Sequence, residues 1–295
     1  MIAGQFSAVH AILSKVSSFA ELLKFRLSLL VAFSSAFGFA LASPVVDWYR
    51  LLMLFTGGFL LSGASVTINQ ILEREPDKLM TRTANRPIPT GRVSVNEALA
   101  FAMCTLIVSV GILIIHTNAL TVWLSLLSMV LYCFAYTPLK RVGAVAVFVG
   151  AVPGAMPPLL GWVAATGGLA YETWILFGIQ FIWQFPHFWA IAWVADDDYR
   201  KAGFKLLPLR GRKDLNTAIQ IMIYTLFLLP LSLLPAKIGL TGIDSAIVAT
   251  VCGVLFLSQT FSLMKTGSRK SAIRIMFGSF IYLPVVQIAF LLDRI

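Results

Sequence analysis

Apolar positions along the chain gather into nine long blocks, each near the length that crosses about 30 Å of hydrocarbon as a helix. They cover residues 24–43, 51–72, 96–116, 119–138, 142–164, 172–194, 216–236, 243–263 and 272–291, with short polar connections between them. The pattern predicts an all-α polytopic membrane protein built as one transmembrane domain over residues 1–295. The first block follows Lys15, Lys24 and Arg26 and shows no small-residue cleavage pattern, so it is expected to be a retained span.

Composition strengthens this picture. Hydrophobic residues make up 58% and charged residues 12%, with a mean hydropathy of +0.85, which excludes a soluble core. Cys104, Cys133 and Cys252 all lie in apolar runs without paired spacing, which argues against a disulfide framework or a zinc site. The net charge of +10 reads as topology and not as a nucleic-acid signal. Only Arg50, Lys237 and Arg294 lie on one side of the predicted spans, leaving 20 of the 23 Lys and Arg on the other. By the positive-inside rule the N-terminus and the loops after spans two, four, six and eight are cytoplasmic, and the C-terminus is outside. Trp48, Trp123, Trp162 and Trp174 fall at the outer ends, where an interfacial aromatic belt is expected.

Candidate chemistry concentrates in the loop after span two, NQILEREPDKLMTRTANRPIPTGR, residues 69–92. Asn69, Glu73 and Asp77 recur every four residues and would share one helix face. Arg82, Arg86 and Arg92 follow among Pro87, Pro89 and Gly91. Oxygen ligands followed by guanidinium groups suit a metal–diphosphate, although a solvated basic loop would look similar. Pro76 disfavours helix at Glu75, which would let Asp77 reach the site from a turn. A second acidic group, Asp196, Asp197 and Asp198, follows span six roughly 120 residues later, ahead of FKLLPLRGRKD. The two loops suggest a degenerate internal repeat of a four-helix unit, with motifs at 69–92 and 186–213 facing one cavity.

The spans carry polar residues of their own. Gln180, Gln184 and His187 fall on one face of span six, and such groups usually face a bundle interior. Pro186 is expected to kink that helix and free carbonyls. His187 then has two readings: a structural histidine bonded to a freed carbonyl, or a base or ligand to a metal-containing cofactor. His10 and His116 read as incidental. Tyr132 and Tyr136 precede Lys140 and Arg141, which are either snorkelling anchors or phosphate contacts. Span five, with GAVPGAMPPLLGW, either packs closely or lines a wide pocket.

Asn69, Glu73, Asp77, Met80, Arg82, Thr83, Arg86 and Pro87, at this spacing, resemble the first signature of the intramembrane polyprenyltransferases. YTPLKR at 136–141, PPLLGW at 157–162, PHFWA at 186–190 and DYRKAGFKLLP at 198–208 are most similar to the branch that farnesylates protohaem IX. The resemblance spans roughly residues 20–295. It implies a nine-helix bundle around a central cavity open to the cytoplasm, in a bacterial inner membrane. It also implies Mg²⁺-assisted ionisation of farnesyl diphosphate, attack by a vinyl group of haem B, and water addition to give haem O. Asn69, Glu73 and Asp77, with Asp198, would then hold Mg²⁺–diphosphate. Arg82, Arg86, Lys140 and Arg141, with Tyr136 and Lys205, would bind diphosphate or haem propionates, and His187 would contact haem. The implied assembly partner is a haem A synthase or a terminal oxidase.

The second motif departs from the superfamily pattern, because Val194 and Ala202 flank Asp198 at four-residue spacing. That leaves open whether it holds its own Mg²⁺. A carbocation needs a dry pocket with π faces, which Trp183, Phe185, Phe188 and Trp189 could supply, though ordinary packing would also explain them. Two alternatives remain: an aromatic-acid or quinone-precursor prenyltransferase, and a secondary transporter of an organic anion.

Overall fold

In a computed structural model of the protein, residues 13–209 and 211–295 are described. His10 and Arg210 lie outside them. Among the described residues, nine helices are long and apolar enough to cross a membrane: α1 (Phe25–Ala42), α2 (Trp48–Leu72), α4 (Val95–His116), α5 (Ala119–Leu139), α6 (Val145–Thr166), α7 (Tyr171–Val194), α9 (Leu215–Lys237), α10 (Ile243–Thr266) and α11 (Arg269–Leu292). Two six-residue helices, α3 (Arg74–Leu79) and α8 (Asp196–Lys201), follow α2 and α7. A helical stretch at residues 13–22 leads up to α1. All nine predicted spans are present, with ends shifted by a few residues.

Local chemistry sets those ends. The side chains of Asp47, Asn118, Asp214 and Ser268 each accept a bond from a backbone N–H in the first turn that follows. Ser94 and Glu97 cap α4 reciprocally. Each of these satisfies donors that a helix start leaves without partners. At helix C-termini on the side of Arg50 and Arg294, cations do the same for carbonyls. Arg50 donates to His116 O and Ala164 O, and Arg294 donates to the carbonyls of Ala40, Ser43 and Pro44 at the end of α1. Two of the three cations on that side are therefore used as helix C-caps.

Helix α6 is the most enclosed span. Its glycines serve close packing: a Cβ on Gly161 would lie 1.9 Å from Ser35 O, and one on Gly38 would lie 2.0 Å from Pro158 O. Backbone therefore meets backbone between α1 and α6. Despite Pro153, Pro157 and Pro158, α6 runs unbroken. Pro157 and Pro158 cannot donate to the carbonyls of Pro153 and Gly154. Neighbouring helices take over: Ser128 Oγ donates to Pro153 O (3.3 Å) and Gln180 Nε2 to Gly154 O (2.9 Å). Because α6 is central, Trp162 is only 7% exposed, unlike Trp48, Trp123 and Trp174, and does not join an aromatic belt.

Gly161→Val should push α1 off α6 and lower stability by about 3 kcal/mol, read by thermal unfolding in detergent. Gly58→Ala, whose added Cβ meets nothing within 4 Å, should leave stability unchanged. Equal losses in the two variants would contradict the close-approach argument.

Candidate active site between the two charged loops

The first charged loop starts where α2 ends. Glu73 leaves helical geometry (φ −97°, ψ 11°) and α3 follows at once. Pro76 occupies the first turn of α3, where a missing N–H is harmless. The hydrogen-bond ladder survives the break: Glu73 N donates to Asn69 O and Asp77 N to Glu73 O. Asn69, Glu73 and Asp77 thus stay in line, with Asp77 carried on a helix and not on a turn. All three are buried, Asp77 completely.

Each of the three meets a partner. Asn69 Nδ2 donates to Thr137 Oγ1 (2.9 Å), and Thr137 in turn donates to Tyr132 O. Glu73 pairs with Lys140 at 2.8 Å, and Asp77 Oδ2 with Arg86 at 2.6 Å. Asp77 Oδ1 is buried without a hydrogen-bond partner. Lys140 also lies 4.6 Å over the Tyr136 ring, and that ring rests on Gly150, where a Cβ would lie 2.5 Å from it. Burial opposes the charge on Lys140, but Tyr136 and Glu73 hold its pKa above the usual lysine value. Residues Leu131–Tyr136 form a π-helical turn just before these groups. The extra residue in that turn resets the helix register immediately ahead of Thr137 and Lys140.

The second loop has the same construction. Ala195 (φ −102°, ψ 9°) repeats the break at Glu73, and a six-residue helix follows. Asp198 Oδ2 accepts from Arg82 N and Oδ1 from Lys201 Nζ, both at 3.0 Å. Lys201 also donates to Thr81 Oγ1, and the Arg82 guanidinium lies 5.7 Å over the Tyr199 ring. These bonds, led by that from Lys201, hold the Asp198 carboxyl well below the ordinary range. Asp198 thus joins the two loops. Asp196 pairs with Arg200 and Lys213, and Asp197 with Lys213, so those acids fold their own loop.

The remaining candidates divide. Arg82, Arg141 and Lys205 are exposed on the rim. His187 Nδ1 meets Ser279 Oγ of α11 at 2.8 Å and the ring stacks on Trp183 at 4.6 Å. Its partner is therefore a neighbouring helix's hydroxyl and not a carbonyl freed by Pro186. Gln180 accepts from Gln287, and Gln184 donates to Ala151 O, so the polar face of α7 seams it to α11 and α6. Phe185 and Trp189 pack against Phe148 and Tyr224, on the far side of α7, as ordinary core aromatics.

Two residues had no assigned role in the sequence reading. Thr137 sits inside YTPLKR, yet nothing in its spacing marks it as Asn69's partner. Lys24 counted only towards topology. It sits just before α1, and burial, with Arg86 and Lys140 adding repulsion, brings its pKa down to about 7.

Among the described residues no three His, Cys, Asp or Glu side chains converge as a metal cage. The donors are instead one amide and two carboxylates in a line, with a buried carboxylate oxygen unpartnered. Mg²⁺ is commonly held by one or two carboxylates together with substrate phosphates. The residues present fit a metal of that kind.

Residues 31–283 match the model of the UbiA prenyltransferase family. A protoheme IX farnesyltransferase of Cytophaga hutchinsonii is 52% identical over 283 residues, covering 96% of this chain and 99% of the relative. One of Flavobacterium psychrophilum is 44% identical, covering 94% of each. Among solved structures, a UbiA homolog from Archaeoglobus fulgidus bound to GPP and Mg²⁺ shares the fold, with a TM-score of 0.63 at 14% identity, covering 92% of this chain and 99% of that one. A digeranylgeranylglyceryl phosphate synthase does so with a TM-score of 0.77 at 20% identity, over 95% of this chain and 98% of that one. The family match and the fold are those of a membrane-embedded prenyltransferase. The chain belongs to the UbiA prenyltransferase family and, within it, to the protohaem IX farnesyltransferases. It is an enzyme and an integral membrane protein, not a transporter.

Arg86→Met would strand a fully buried carboxylate and should lower stability by about 3 kcal/mol. Adding Asp77→Asn should restore much of that loss, because the uncompensated charge disappears. Denaturation in detergent of the two single variants and the double variant measures this. Simple additivity would show that the pair is not coupled.

Proposed function

We propose that the protein transfers the farnesyl group of farnesyl diphosphate to a vinyl group of haem B, with water completing the hydroxyethylfarnesyl side chain of haem O. The observation that carries this reading is the buried line of Asn69, Glu73 and Asp77, with Lys140 and Arg86 held against the two carboxylates. Ionising the allylic C–O bond leaves a cation on the farnesyl chain and negative charge on the departing diphosphate. In this reading Arg86 and Lys140 turn from carboxylate to phosphate oxygens as that charge develops. Asn69, Glu73 and Asp77 would hold Mg²⁺, which, bound with the diphosphate, supplies positive charge to the leaving group. Thr137 and the π-turn before it keep Asn69 and Lys140 oriented.

Asp198 works indirectly in this scheme, by fixing Thr81 and Arg82 over the first motif. The exposed Arg82, Arg141 and Lys205 form a basic rim suited to haem propionates. His187 contacts haem through Nε2, since Ser279 engages its other nitrogen. The basic loops face the cytoplasm of a bacterial cell, with the C-terminus outside. The shared break-and-short-helix construction after α2 and α7 supports two copies of one four-helix unit.

Purified protein given haem B, farnesyl diphosphate and Mg²⁺ should yield haem O by mass spectrometry. Asp77→Ala or removal of Mg²⁺ should lower the yield by about a hundredfold or more. Prenylation of a phenolic acid with no haem product would refute haem as acceptor. Undiminished haem O from Asp77→Ala would refute the site.

A further inference from the structure

The chain breaks sharply between the helical residues 13–22 and α1. Lys24 stands at the break with φ +44° and ψ 57°, in the left-handed region. That region suits glycine and is unfavourable for a residue with a Cβ. The break is built, not incidental. Gln70 Nε2 donates to Leu22 O at 2.9 Å, Thr67 Oγ1 to the same carbonyl at 3.3 Å, and Ser28 Oγ to Leu23 O at 2.8 Å. These bonds satisfy carbonyls that a helix end leaves open. Those from Gln70 and Thr67 also tie the break to the last turns of α2, close in the chain to Asn69 and Glu73.

Three features meet at this lysine. Its backbone is in a conformation that a glycine would take more readily. Burial disfavours charge on its ammonium group, and Arg86 and Lys140 add repulsion. And among the described residues it forms no ion pair, whereas Lys140 and Arg86 are each matched to a carboxylate. Those two pairs are neutral overall, so of these three cations Lys24 is the one without a carboxylate. A residue that is strained, partly desolvated and unmatched at once points to a ligand that relieves all three conditions.

Resting on the functional reading above, we propose that Lys24 is a further substrate-binding residue, contacting the diphosphate of the prenyl donor from the α1 side, opposite Arg86 and Lys140. An inorganic or prenyl diphosphate supplies the missing negative charge, and the ammonium donates to its phosphate oxygens. The donor is then held by cations from three separate parts of the chain: the entry to α1, the loop after α3 and the end of α5.

The test uses full-length protein in detergent and three substitutions: Lys24→Gly, Lys24→Arg and Lys24→Met. Binding of inorganic diphosphate with Mg²⁺, and of farnesyl diphosphate with Mg²⁺, is measured by calorimetry. Haem B binding is followed by absorbance and thermal unfolding is recorded alongside. Lys24→Gly should match or exceed the wild-type melting temperature, because glycine accepts the turn. It should nevertheless bind both diphosphates about tenfold more weakly or worse. Lys24→Met should lose the same affinity, and Lys24→Arg should stay within about threefold of wild type. Haem affinity should not move. Wild-type affinity for diphosphate in Lys24→Gly would overturn the proposal, leaving Lys24 a turn residue. Selective loss of haem affinity would also overturn it, by assigning the lysine to the propionates. A wild-type protein that binds neither diphosphate would overturn the functional reading itself, and this proposal with it.

Discussion

A carboxylate in a low-dielectric site keeps its charge only if a cation or metal lies beside it. Glu73 and Asp77 are both buried, and much of the architecture at this end of the bundle follows from meeting that demand. Lys140 has to arrive from the end of α5, and Arg86 from the turn after α3. That turn is itself fastened: Thr83 Oγ1 donates to Asp77 O, and Arg92 bonds Glu21 and Asn85 O. Lys15 reaches Arg92 O and Glu97, joining residues 13–22, the loop and α4. The exposed pairs add little stability by themselves. Their effect is to hold the loop in the register that delivers Arg86.

The two charged loops share a plan but not their acids. Each follows a long span, breaks at one residue with nearly the same backbone angles, and continues as a six-residue helix. In the first, the acids at the break and on the short helix are buried and paired with Lys140 and Arg86. In the second, the residue at the break is Ala195, Asp196 is tied to Arg200 and Lys213, and Asp198 bonds the first loop. Equivalent construction carries unequal contacts: the acids of the first loop are buried against cations, and Asp198 of the second bonds the first loop. The departure from four-residue acidic spacing around Asp198 is the sequence trace of that division.

Within the spans, the governing constraint is that hydrocarbon offers no partner for a free carbonyl. Pro157 and Pro158 in α6 open two carbonyls, and the polar residues of α5 and α7 close them. Gln180, Gln184, Gln287 and Ser34 form a seam between helices, so their polarity is largely consumed by structure. His187 and Ser279 extend the same seam between α7 and α11. Close backbone approach between α1 and α6, allowed by Gly38 and Gly161, goes with a bond from Ser35 Oγ to Pro157 O at 3.0 Å.

The spans, the side on which charge gathers and the first acidic motif were legible along the chain. Hydrocarbon thickness sets the length of each apolar run, and a four-residue spacing already defines a helix face. The motif order sufficed to suggest the family. What the linear pattern could not hold is which cation meets which carboxylate. Lys140 and Arg141 are adjacent and chemically alike in a sequence, yet a π-turn gives one to Glu73 and leaves the other on the surface. Nor could periodicity show that Phe185 and Trp189 face α9, or that Trp162 is enclosed, since neither depends on its own helix. Lys24 is the sharpest case. As text it is a base before a membrane span, and only the contacts of Leu22 and Leu23 with α2 and Ser28 show that it stands at a built, left-handed break beside the end of α2. Local periodicity is written in one dimension; pairing across helices depends on backbone approach and register, which exist only once the bundle has closed.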